Sequence, residues 1–112
     1  MATQACGKER IMGTNGKVSF EHLLIDADGP SNPHVKACGD ISGNGLADVV
    51  VASSNGGPLV WYRAPEWTKH VIAPRGSWSC DAKLVDMDGD GDLDLLIPEW
   101  YTLDRLEWYE NP

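Results

Sequence analysis

The sequence is short of positive charge, of long apolar runs and of any sustained helical period. Nine Lys and Arg stand against 17 Asp and Glu, a formal net charge of −8. Binding along a phosphate backbone is driven by Lys and Arg, so this balance excludes a nucleic-acid partner and leaves cations, neutral ligands or proteins. No apolar stretch approaches the roughly 18 residues of a membrane-spanning helix. The N-terminal residues carry no apolar core of the kind a signal peptide needs. Three cysteines, Cys6, Cys38 and Cys80, are an odd number and sit at no zinc-ligand spacing. Cys38 and Cys80 read as small buried hydrophobes, and a bridge between them is left open. There is no Gly-x-Ser-x-Gly, no phosphate-binding loop and no His-Glu-x-x-His, so no nucleophilic or zinc-hydrolase machinery is legible. What remains is 112 residues, 42% apolar and 23% charged, room for about one small domain with a thin core.

Turn formers are plentiful, with 12 Gly and seven Pro, and they punctuate a repeat. Asp40-Ile-Ser-Gly-Asn-Gly-Leu-Ala-Asp48 precedes an apolar run, and Asp86-Met-Asp-Gly-Asp-Gly-Asp-Leu-Asp94 precedes another, 46 residues on. Trp61-Tyr62 returns as Trp108-Tyr109 at an offset of 47, and His22 with its apolar neighbours returns as His70 at an offset of 48. Three matches in one order define a unit of about 47 residues, present twice. The units are 17–65 and 66–112; residues 1–16 match neither and read as a flexible leader. Within a unit, short β-branched runs (18–25, 35–38, 48–52, 59–62 and their equivalents) alternate with Gly, Pro, Asn and Asp. About four short strands in a unit of this length predict a β-propeller blade. The expected fold is all-β, two four-stranded blades.

The acidic loops carry the chemistry. Asp86, Asp88 and Asp90 alternate along a tight loop, and Asp94 closes it. Gly89 and Gly91 let the backbone curl so that alternate side chains converge. Carboxylates crowded in this way repel one another, and a hard cation relieves them; an all-oxygen donor set favours Ca²⁺. Asp92 would lend its backbone carbonyl. The first loop is a weaker copy: Asp40, Ser42, Asn44, the carbonyl of Leu46, and Asp48, with only two carboxylates. An EF-hand is excluded, because Ile97 stands where its bidentate Glu belongs and the flanks read as strands.

Acidic loop, apolar strand, Trp-Tyr-Glu-Asn-Pro and His-Val-Ile, in that order over about residues 17–112, resemble the FG-GAP/VCBS repeat family. The resemblance implies β-propeller blades, each with a Ca²⁺ loop between two strands. By it, Asp86, Asp88, Asp90, Asp92 and Asp94 would be the ligands of the second blade, and Asp40, Ser42, Asn44, Leu46 and Asp48 those of the first. It also implies an extracellular setting. Ser42 and Asn44 depart from the family pattern and weaken the first site.

Two blades do not close a ring, so either the chain is part of a longer one or copies assemble head to tail, with a two-blade monomer or a dimer that covers its faces another way as the alternative. Three copies would give six blades and four would give eight. The recurring Trp61, Tyr62, Trp108 and Tyr109 read as packing between blades, and the paired His22 and His70 as structure. Trp78, Trp100 and Tyr101 do not recur. With Glu99 and His34 they form the candidate ligand surface, for a glycan or a protein. An enzyme reading rests only on analogy to lyases and a dehydratase built on such propellers. A binding module is favoured, with a purely structural repeat fragment as the bland alternative.

Overall fold

The computed structural model describes residues 18–79, 81–100 and 104–112. The leader read over 1–16, Cys6, Cys80 and Tyr101 lie outside them. Seven strands run in order: β1 Pro33–Gly39, β2 Asp48–Ser53, β3 Leu59–Arg63, β4 Thr68–Ala73, β5 Lys83–Val85, β6 Asp94–Glu99 and β7 Arg105–Tyr109. They form two antiparallel meanders, a four-stranded sheet β1-β2-β3-β4 and a three-stranded sheet β5-β6-β7. The described residues contain no helix, and no helix is long and apolar enough to cross a membrane.

The all-β expectation holds; among the described residues the two sheets have four and three strands. Residues 18–25 were read as the first strand of the first unit. They are exposed, and apart from a bridge at Val18 they carry no strand. Their counterpart, β4, opens the second sequence unit yet pairs with β3 of the first sheet. Its register is Trp61↔His70, Tyr62↔Lys69 and Arg63↔Thr68. The first sheet is therefore out of phase with the unit in sequence, because the second unit gives its leading strand to it. Among the described residues the second sheet has three strands.

The core lies where the two sheets meet. Val35, Val50, Ala52 and Leu59 of the first sheet and Leu95 and Ile97 of the second are all buried in one cluster with Trp78. Inward side chains alternate along β1 and β2, the period-2 pattern of a half-buried sheet. That alternation corrects the reading of Cys38. It is a free, exposed cysteine, on the same outward face of β1 as His34 and Lys36, while Val35 points inward. At the end of β1 the sheets close on each other. A Cβ at Gly39 would stand 3.0 Å from Leu93 and 3.1 Å from Leu84, so glycine permits the approach. An apolar cavity of about 170 Å³ lies beside this contact, lined in part by Trp61, Leu84 and Tyr109.

Candidate metal centre

The two loops share one set of bonds at their first position. In the first, Asp40 accepts from the backbone N–H groups of Gly43, Asn44 and Gly45 at 2.8, 3.1 and 2.8 Å. In the second, Asp86 accepts from Gly89, Asp90 and Gly91 at 2.8, 3.1 and 2.9 Å. The glycines make the curl: Gly89 and Gly91 hold φ of 77° and 94°, a region costly to side-chain-bearing residues. The carboxylates at the far ends are buried brackets. Asp48 accepts from Ile41 and Ser42 at the loop start and from Ala64 after β3. Asp94 accepts from Met87 and from Asn111 after β7. Each bracket ties loop, strand and sheet exit together.

The loops differ in what faces their centre. In the second, carboxylate oxygens of Asp86, Asp88 and Asp94 all lie within 4.8 Å of one another. Backbone N–H groups, Gly91 foremost, hold Asp86 below its ordinary range. Asp88 goes the other way. Partial desolvation, joined by the like charges of Asp90 and Asp94, pushes its carboxyl up to about 6. Asp90 is exposed and its carboxylate accepts from Asp92 N–H at 2.9 Å; Asp92 is exposed too. Neither belongs to the three-carboxylate group.

In the first loop Asn44 is engaged at both ends. Its amide donates to Ala64 O at 2.9 Å and its carbonyl accepts from Leu46 N–H at 3.0 Å. The Ser42 hydroxyl is buried and has no hydrogen-bond partner. A buried hydroxyl left unpaired is costly, so this oxygen is the feature of the first loop that fits an ion or a water. Asp40 and Asp48 supply the only carboxylates there.

Of the four described residues expected to form a ligand surface, Trp78 and Glu99 are buried and Trp100 and His34 are exposed. Trp78 is 1% exposed and belongs to the core; its indole N–H donates to Glu107 at 3.2 Å. The lack of a repeat partner reflected a core position unique to the blade junction, where Trp78 bridges to Glu99 across the sheet edge. Glu99 is buried, accepts from Ser77 N–H and pairs with Arg105 at 3.2 Å. Trp100 is 49% exposed. His34 is exposed at the start of β1, away from both loops.

Among the paired aromatics, Trp61 stacks on His70 with ring centroids 4.6 Å apart. Tyr62 is buried and donates its hydroxyl to Asp26 at 2.7 Å. One residue escaped the sequence reading. The Asn111 amide donates to Ile41 O in the first loop and to Leu93 O in the second, at 3.1 and 3.2 Å. It clamps the two loops together. The only signal was the change from Ala64 to Asn111 at one repeat position.

A family model described as FG-GAP-like repeat matches residues 40–97, from the first ligand position of the first loop to the end of the apolar run after the second. No curated protein and no solved structure matches the chain. With just over half of its length under that match, the chain belongs to the FG-GAP-like repeat family, a β-propeller repeat.

Proposed function

We propose that the chain is a calcium-binding β-propeller repeat module in which Ca²⁺ is structural. The observation that supports this is the meeting of Asp86, Asp88 and Asp94 within 4.8 Å. Oxygen donors of this charge and hardness suit Ca²⁺. When bound, the ion supplies charge neutralisation: it restores the ionised form of Asp88 and relieves the repulsion among its neighbours. Asp94 would join the ion to the sheet, since it already brackets β6 to the chain after β7. The backbone carbonyl of Asp92 and the exposed Asp90 complete the proposed set. A second, weaker site in the first loop would use Asp40, Ser42, Asn44, the Leu46 carbonyl and Asp48. The unpartnered Ser42 hydroxyl supports it.

Ligand that binds only the folded state stabilises it by mass action, about 2.7 kcal/mol at a hundredfold excess over Kd. Thermal unfolding in Ca²⁺ and in chelator tests the proposal; the melting temperature rises with Ca²⁺, and superimposable curves overturn it. For the assembled module we propose recognition of a glycan or a protein. Trp100, an exposed aromatic beside the β6–β7 connection, supports a stacking contact there. A glycan array with Trp100→Ala checks it: binding lost without loss of fold is expected, and unchanged binding contradicts it.

A further inference from the structure

The outer edge of β7 and residues 20–25 are two halves of one missing pairing. In the first sheet β4 covers β3. Leu59 is fully buried there and Trp61 stacks on His70. In the second sheet no described strand lies outside β7. The equivalents are bare: Leu106 is 70% exposed and Trp108 is 47% exposed. A strand edge with free N–H and C=O groups and apolar side chains is a template for another strand.

The repeat names the occupant. Thr68-Lys-His-Val-Ile-Ala73 is β4, and its counterpart 48 residues earlier is Phe20-Glu-His-Leu-Leu-Ile25. That counterpart is apolar, exposed and without a strand partner among the described residues; Phe20 is 94% exposed. It precedes β1 in the chain as β4 precedes β5. The chain leaves the outer strand of one blade and enters the inner strand of the next. Traced back from β1, the same step places residues 20–25 on a blade stacked against the first sheet on the side away from the second. The described residues hold no such blade, whereas the second sheet of another copy lacks that strand among its described residues.

We propose that residues 20–25 of one copy form the fourth strand of the second sheet of the next copy, antiparallel to β7. Transferring the β3–β4 register sets Trp108 opposite His22, Tyr109 opposite Glu21 and Leu106 opposite Ile25. The Trp61–His70 stack is then reproduced between copies as Trp108–His22. Each copy donates one strand and accepts one, a heterologous contact that closes as a ring of three or four chains. This proposal does not depend on calcium, so the two can fail separately.

A photo-crosslinking amino acid in place of Leu23, in a mixture of isotope-labelled and unlabelled full-length chains, tests the contact. Expected are adducts between Leu23 and β7 peptides that join labelled to unlabelled copies. Adducts confined to one chain, or none on β7, overturn the proposal. Light scattering on Leu23→Pro gives a second readout. Proline removes a ladder donor, so the mass falls from three or four chains to one while the β signal in circular dichroism persists. A wild-type monomer, or an assembly indifferent to Leu23→Pro, overturns it as well.

Discussion

In the first sheet Leu59 and Trp61 lie under β4, whereas in the second their equivalents Leu106 and Trp108 face open space. The loops diverge in the opposite sense. The second gathers three carboxylates, while the first has two, an engaged Asn44 and an unpaired Ser42 hydroxyl. Near-copies of one sequence thus acquire different environments from what their neighbours provide. A strand is covered only if the next unit supplies its partner. A loop becomes charged only if substitutions at its third and fifth positions add carboxylates. What both copies retain is the bracket: Asp48 and Asp94 stay buried and bonded to backbone on both sides of the sheet.

The sharpest way to break that symmetry is to remove a bracket. Asp94→Ala strands the Met87 and Asn111 donors, and Asp48→Ala strands those of Ser42 and Ala64. The expected loss is on the order of 3 kcal/mol for either, read by denaturant unfolding in chelator. A loss below the scatter of surface substitutions would contradict the bracket role.

Next in size is the contrast between the loops. Asp88→Asn removes the charge that the second loop crowds most. In chelator the variant is expected to melt above the parent, and on adding Ca²⁺ its melting temperature should rise less than the parent's. Calcium responses of equal size in parent and variant would show that the acidic cluster is not the site.

A smaller effect concerns the entry to the first sheet. Lys69 at 2.7 Å, then the Tyr62 hydroxyl and Asp28 N–H, hold Asp26 down at about 2 against an ordinary 3.8. A carboxyl lowered on folding stabilises the protein above its unfolded pKa. That contribution is lost as pH falls from 3.8 through about 2. Asp26→Asn should flatten this part of the stability curve, measured as parent minus variant. Parallel acid transitions would contradict the anchor.

The smallest effect expected is Ser42→Ala, within about 0.5 kcal/mol of the parent in chelator, because the hydroxyl removed has no partner to lose. A large loss would mean that Ser42 has a partner even without the ion.

The repeat, the loops and the strands β2, β3 and β6 were legible because apolar runs and Gly-Asp clusters are local signals. The fate of residues 18–25 was not. Their composition matches β4, yet a strand exists only where a partner edge is present, and pairing is non-local. Trp78 shows the other limit. Its lack of a repeat partner suggests a surface role, but the two sheets meet at a junction whose core includes Trp78. Cys38 was misplaced by residue type, where the alternation along β1 sets it outward. The Glu99–Arg105 pair joins neighbouring strands and the Asn111 clamp joins the two loops, contacts that sequence spacing alone does not specify.

The most direct measurement is calorimetric titration of the full chain with Ca²⁺, parent against Asp88→Asn. The account expects a saturable binding event in the parent that is lost or strongly weakened in the variant, with any residual weak binding assigned to the first loop. No binding heat in the parent, together with an unchanged melting temperature, would contradict the claim that the Asp86–Asp88–Asp94 cluster is a calcium site.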